Sequence, residues 1–320
     1  MKCLDRETKK DLFNEVVYWV MKPWVLIIVF VFIFTPSCKI LEAIESGADF
    51  LNIAPGARPS AMATSFTAVS KDLNSVYFNP AGLASIDGRE LSLTHANWFI
   101  DERYDFVSFG LPFKRMVGAV SIAKLSHGDF QARDINGRMN GSFGASDTAI
   151  GISFAKFINH NSSIGGGIKF LSSQIENYTA TALAFDFGVL YNMDRFPVSF
   201  GLAVRNIGKG MKFIDERENL PLSISAGLSF KVLPLMDLNL DIKHLIYDKE
   251  TSLNIGTEYS LFGGIFLRAG YSNSIFSKED TVLQNISGGI GLKISNIQID
   301  YAFTPAEFGT SQKFGLNYKF

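Results

Sequence analysis

The chain has 320 residues, of which 47% are hydrophobic, 13% aromatic and 19% charged, and its formal net charge is −1. That near-neutral balance excludes a phosphate-tracking surface, so nucleic acid is not an expected partner. The 29 Phe and 28 Gly stand against only 2 Cys, and with both of these, Cys3 and Cys38, near the N-terminus, a disulfide framework or cysteine metal site is excluded from the body of the protein.

The run "WVLIIVFVFIFTPSC", residues 24–38, is the long apolar stretch of the chain. Its first part, residues 24–34, carries no polar side chain but is short for a spanning helix, which needs about 20 residues. Lys22 precedes it and small residues follow, the pattern of a secretory signal peptide. Met21 is the expected start, with residues 1–20 an extension; an uncleaved anchor is the alternative. Cys38 after Ser37 raises lipidation, although "TPSC" is a poor lipobox. Gly and charged residues interrupt every later apolar stretch, so none reads as a membrane helix. The expected organisation is therefore residues 1–46 as extension and signal, 47–88 as a separate N-terminal segment, and 89–320 as the main domain.

Residues 47–88, "GADFLNIAPGARPSAMATSFTAVSKDLNSVYFNPAGLASIDG", alternate poorly. Residues 61–72 fit a short helix, and Asn79-Pro80 starts a turn.

From Arg89 onward the period is two. "PLSISAGLSFKV" sets Leu222, Ile224, Ala226, Leu228 and Phe230 against Ser223, Ser225, Gly227, Ser229 and Lys231. "TSLNIGTEYSL" sets Leu253, Ile255, Thr257 and Tyr259 against Asn254, Gly256, Glu258 and Ser260. Successive side chains on a strand point to opposite faces, so each such segment is a strand with one apolar and one polar face. Fourteen are expected, at roughly 90–99, 103–113, 116–126, 146–158, 162–172, 179–192, 196–207, 221–232, 236–247, 251–261, 263–275, 284–294, 297–304 and 310–320. Most approach the ~9–11 residues that cross a membrane at a tilt.

The connections sort by parity. The even-numbered ones are tight, as at Lys114-Arg115, 159–161, 193–195, 233–235, 261–262 and 295–296. The odd-numbered ones include the long loops 127–145, 208–219 and 276–283. Outer-membrane barrels have short periplasmic turns and longer outer loops. The polar face carries Lys169, Asp186, Arg205, Asp241, Glu258, Arg268 and Asp300 among others. Unpaired in a dry core, each would cost several kcal/mol, whereas a water-filled lumen removes that cost. The expected fold is all-β, a 14-stranded antiparallel transmembrane barrel whose apolar faces meet outer-membrane lipid.

The chain ends in "KFGLNYKF", with Lys313, Gly315, Tyr318 and terminal Phe320. This resembles the β-signal read by the bacterial barrel-assembly machinery. The stretch "GARPSAMATSFTAVSKDLNSVYFNPAGLA" in turn resembles the N-terminal signature of the PorV/PorQ group, within the FadL-like outer-membrane transporter superfamily, through Gly56-Ala57-Arg58, Ala61 to Ala63, Phe66-Thr67-Ala68-Val69, Asp72 and Asn79-Pro80-Ala81-Gly82-Leu83. The usual Met-Gly-Gly step is here Met62-Ala63-Thr64. The resemblance implies a hatch folded into the periplasmic mouth of the barrel, with Arg58, Asn79, Pro80, Ala81 and Gly82 as its gating residues. It also implies that Val76, Phe78 and Leu83 pack inside and that Asn79 caps the turn. An eight-stranded barrel is already filled by its own side chains, so a wider one needs a plug.

Catalytic chemistry is not visible. His95, His127, His160 and His244 lie far apart without metal-ligand spacing, and "HGD" 127–129 reads as a solvated turn. Asp241 and His244, three apart on one strand, point to opposite faces. "GGG" 165–167 and "GGIG" 288–291 fall within strands, where Gly eases curvature, and not before helices where phosphate would bind. The expectation is a protein without enzymatic activity, cofactor or metal. It would pass hydrophobic or amphipathic small molecules through the outer membrane, although the polar lumen pattern shows no apolar tunnel. The alternatives are a type IX secretion component that binds secreted cargo proteins, as the PorV/PorQ resemblance implies, and a structural outer-membrane protein.

Overall fold

The computed structural model describes residues 46–97, 102–134, 136–213, 215–274, 285–306 and 309–320. The expected signal peptide, the Met21 start, Cys38 and the loop 276–283 lie outside the described residues. The described chain forms a closed antiparallel barrel. Its first seven strands are β1 (Glu90–Asn97), β2 (Arg103–Phe113), β3 (Met116–Arg133), β4 (Met139–Phe157), β5 (Ser162–Ile175), β6 (Tyr178–Asn192) and β7 (Val198–Gly208). A small hairpin, β8 (Met211–Phe213) and β9 (Glu216–Glu218), interrupts the wall. The wall resumes with β10 (Ser223–Leu233), β11 (Met236–Leu245), β12 (Glu250–Ser260), β13 (Ile265–Ser274), β14 (Ile286–Ile294), β15 (Ile297–Ala306) and β16 (Gly309–Lys319). Excluding the hairpin, fourteen strands make the wall, and β1 closes on β16 from Glu90↔Lys319 to Asn97↔Gln312.

The alternation sets which face is which. On β10, Ser223 and Ser225 are buried inside while Ile224 is exposed outside. On β12, Asn254 and Glu258 are buried and Tyr259 is exposed. Val120, Ile152, Phe170, Leu202, Ile290 and Ile299 are likewise exposed, forming a continuous outward apolar belt. A soluble barrel would not leave such a belt in water, whereas a membrane barrel requires it. Among the described residues no helix is long and apolar enough to cross a membrane.

The predicted loop 127–145 is largely an extension of the wall. β3 and β4 run on as a hairpin, with register shifts between Ser126 and Asp129 and again between Gln131 and Arg133. Its sequence is rich in Gly and charge, which masked the alternation; the irregular register has the same effect.

Residues 46–88 lie inside the ring. The helix expected over 61–72 is not there. The α-helices are short, α1 (Ala57–Ala61) and α2 (Ser75–Phe78), flanked by 3-10 turns at Asp49–Asn52 and Pro80–Ser85. Ala63, Thr64 and Lys71 adopt positive φ, which no helix tolerates. Asn79 is extended (φ −155°, ψ 102°), as the residue before a proline prefers, and Pro80 opens the next turn.

Candidate functional site

The luminal segment crosses the barrel from end to end. Ser46 donates its backbone N–H and its hydroxyl to Asp248, beyond the long-loop end of β11 (3.0 and 2.7 Å). At the other end the segment runs into β1, beside the chain terminus, where the Phe320 amide donates to the Arg89 carbonyl. The expectation that the segment folds into the periplasmic mouth is thus too narrow, because it extends from the outer loops to the short-turn end.

Each sequence-selected residue of the segment has a defined place. Arg58, on α1, donates Nε and Nη2 to the two carboxylate oxygens of Glu258 on β12, both at 2.8 Å. Its Nη1 donates to Asp72 Oδ2 at 2.6 Å. Glu258 also accepts from Arg268 on β13, whose Nη1 reaches Asp300 on β15 (2.6 and 2.7 Å). Five charges thus form one chain, Asp72–Arg58–Glu258–Arg268–Asp300, running from the segment into the wall. Asn79, fully buried, accepts the Ala81 amide on Oδ1 (3.1 Å) and donates Nδ2 to the Thr67 and Val189 carbonyls. Pro80, Ala81 and Gly82 are buried against it, and the Ala81 carbonyl accepts from Ser163 on β5. Val76, Phe78 and Leu83 are buried as well.

The C-terminal residues divide between two faces. Tyr318 and Phe320 are exposed outside, with ring centroids 4.6 Å apart. Lys313 points inside instead, donating to the Ala54 carbonyl (2.7 Å) and to Ser60 Oγ (2.9 Å), and Gly315 faces Ala57.

Two sequence-level expectations about the lumen need correction. The inward charges are not bathed by a water-filled channel: Asp241, Glu258, Arg268 and Asp300 are each at most 5% exposed. Burial is tolerated because they meet partners. Asp241, for example, accepts the backbone N–H groups of Phe66 and Thr67 (2.9 and 2.7 Å). The glycines have a second role beyond curvature. A Cβ at Gly165 would collide with the Pro80 backbone, and one at Gly188 with Asn79 Oδ1. Gly201, Gly256, Gly270 and Gly289 meet the segment in the same way. The wall lacks side chains where the segment's backbone approaches it.

At the long-loop end the segment forms the floor of a cavity of about 550 Å³. Phe50 and Ile53 of the segment, Leu125 on β3, Ile175 on β5 and Phe213 on β8 give it an apolar lining. Its rim carries Asp49, Glu102, Asp147 and Glu218. Desolvation, and then the neighbouring Asp248 and Glu218 carboxylates, push the Asp49 carboxyl above its ordinary range. His127 also lines this cavity and is no solvated turn. Its Nδ1 is 2.6 Å from Glu102 Oε1 and its Nε2 2.8 Å from Asp147 Oδ2, and Asp147 in turn accepts from Ser173. The sequence pattern ends the third strand at 126, which leaves His127 in the loop. An inward parity carried two residues past Leu125 would have found it. His95 pairs with Asp105 across β1 and β2 at 2.7 Å, but both side chains are about half exposed on the outer surface. Among the described residues no His/Cys/Asp/Glu group is arranged to hold a metal ion.

A second, much smaller pocket of about 30 Å³ lies deeper, between Phe50, Tyr77, Tyr104, Phe106, Ala123 and Ala149, and Ser121, Lys169 and Asp186 line it too. It shares Phe50 with the mouth cavity. The inner faces of β2–β4 are nonetheless largely apolar, with Tyr104, Phe106, Val117, Ala119, Leu125 and Ala149 all buried there against the segment.

No protein-family model matches the sequence, and no curated protein is significantly similar to it. Solved structures share the fold. The toluene transporter TbuX of Ralstonia pickettii is 13% identical at a TM-score of 0.62, over 87% of this chain and 99% of its own. The Pseudomonas putida toluene transporter TodX is 14% identical at 0.61, over 82% and 96%. A FadL homologue of Pseudomonas aeruginosa is 12% identical at 0.58, over 82% and 98%. The chain therefore has the FadL-type fold. With its outward apolar belt, it is a barrel of the bacterial outer membrane.

Proposed function

We propose that this barrel passes small hydrophobic or amphipathic molecules across the outer membrane, with residues 47–88 acting as its hatch. The carrying observation is the cavity at the long-loop end, lined in part by apolar side chains and floored by the segment that occupies the lumen. Its volume suits a molecule of drug size or smaller. Four lining carboxylates, Asp49, Glu102, Asp147 and Glu218, against the one imidazole of His127, leave a negative balance that opposes an incoming anion. The reading therefore narrows to neutral solutes ahead of carboxylates. Two of the similarly folded proteins are described as toluene transporters, which suggests toluene as the first probe. Purified protein in liposomes should speed toluene permeation, and permeation no faster than through protein-free liposomes would refute the reading.

Arg58, Asn79, Pro80, Ala81 and Gly82 are in this proposal the residues that hold the hatch shut. The PorV/PorQ-like reading, with secreted cargo as partner, draws on the motif over residues 56–83 alone. The Arg58, Asp72 and Asn79 side chains of that motif are occupied in fixing the segment to itself and to the wall. The motif thus has an architectural account that needs no cargo. For Tyr318 and Phe320, outward at the short-turn end, the proposed partner is the barrel-assembly machinery.

A further inference from the structure

The luminal segment is held unevenly. Among the described residues its hydrogen bonds to the wall go to β5 through Ser163, β6 through Val189, β7 through Arg205, β11 through Asp241, β12 through Glu258, β14 through Ser287 and β16 through Lys313. None goes to β1–β4. There the segment presents Phe50, Leu73, Val76, Leu83 and Ile86, all in one apolar cluster with Tyr104, Phe106, Ala119 and Ala149 of the wall. Thr94 Oγ1 on β1 and Ser108 Oγ on β2, both buried, find no partner on this side.

The two sides differ in what separation would require. On the bonded side, moving the segment strands buried charges and amides, including both carboxylate oxygens of Glu258, at a large penalty. On the apolar side it breaks no hydrogen bond between segment and wall and exposes mainly hydrophobic surface, which a hydrophobic solute would cover again. The cavities already mark this side. The mouth cavity and the deeper one meet at Phe50, and Ala123 and Ala149 line the deeper one. Beyond these, Ala119 and Val117 continue the apolar face down β3 toward its short-turn end.

We infer that solute travels between the segment and the inner face of β2–β4, with Phe50 as the partition between mouth and interior, while the opposite face of the segment stays docked. This rests on the transport reading and assigns its route. The side chains available along it, mostly Ala, Val, Phe and Tyr, suit an uncharged aromatic or aliphatic hydrocarbon.

The test uses single cysteines in the full chain with Cys3 and Cys38 replaced by Ser. Ala149→Cys lies on the route; Ser225→Cys is buried inside β10, on the docked side. N-ethylmaleimide should modify Ala149→Cys about tenfold faster than Ser225→Cys, because reagent reaches a buried thiol only through local opening. Toluene should slow the first reaction alone. Modified Ala149→Cys should then lose toluene permeation. Equal labelling of the two positions, or permeation that survives complete modification of Ala149→Cys, overturns the route. Faster labelling of Ala149→Cys in a protein that passes no toluene even before modification instead overturns the transport reading. If Ala149→Cys fails to fold, Ala123→Cys, which lines the same cavity, takes its place under the same criteria.

Discussion

Arg58 and Glu258 meet in parallel, two guanidinium nitrogens each 2.8 Å from a separate carboxylate oxygen. The two residues are 200 positions apart in sequence, one on the luminal segment and one on β12. The pair is the centre of the five-charge chain, so its loss leaves Asp72 and Arg268 each short of a neighbour. Arg58→Ala should destabilise the docked segment by about 3–5 kcal/mol, the scale for truncating one member of a buried ion pair. The barrel should still migrate as a folded species on unheated gels, while its conductance in planar bilayers rises. Unchanged conductance would mean that the segment is held without this pair.

Gly188 and Asn79 form a second test of docking. The Gly188→Ala substitution places a methyl group on Asn79 Oδ1, whereas Gly166→Ala points toward the flexible Phe187 ring on the outer side at 3.5 Å. Gly188→Ala should therefore lower the thermal midpoint clearly and Gly166→Ala barely. Adding Asn79→Ala removes the clash, along with hydrogen bonds worth about 1–3 kcal/mol. The double variant should be more stable than the sum of the singles predicts, a coupling read from a double-mutant cycle.

Leu202, near the middle of β7, is exposed on the outer belt. Leu202→Arg should cost about 2–4 kcal/mol of folding free energy in bilayers, the range for a cation at mid-membrane. Reversible unfolding in lipid vesicles measures it. An Arg tolerated there without loss would place the belt away from hydrocarbon.

Phe320 and Lys313 separate assembly from packing. Deleting Phe320 should lower the amount of protein reaching the outer membrane, while the fraction that arrives melts nearly as the parent does. Lys313→Met should do the reverse, because it removes the ammonium that bonds Ala54 and Ser60. Fractionation and melting of the same preparations would distinguish the two effects.

The rim charge makes a specificity prediction. Asp49→Asn combined with Glu218→Gln should raise uptake of octanoate relative to octanol, since it removes two of the four rim carboxylates. A ratio that does not move would show that the rim plays no part in selection.

Much of the barrel was legible because a two-residue period is a local signal. Leu253 and Asn254 declare their faces without knowledge of any partner strand. Parity of loop lengths added direction in the same way. The lumen was not legible for the opposite reason. Whether Glu258 faces water or Arg58 depends on a contact 200 residues away, and alternation carries no such information. The short, broken course of 47–88 is set by the wall: the Phe66 and Thr67 amides bond Asp241 in place of helical carbonyls. His127 was missed at a strand end, where pattern reading is weakest. The apolar face of β2–β4 escaped notice because its small Ala residues fit either side of a strand.

The β1–β16 seam encloses a strand of polypeptide that enters at one rim and leaves at the other. Zipping those two edges together around a vacant centre would leave the whole segment to be fed through a finished tube, past glycines with no clearance for a methyl. The expected order of events in biogenesis therefore lays the N-terminal thread within the curling sheet first and seals the ring last.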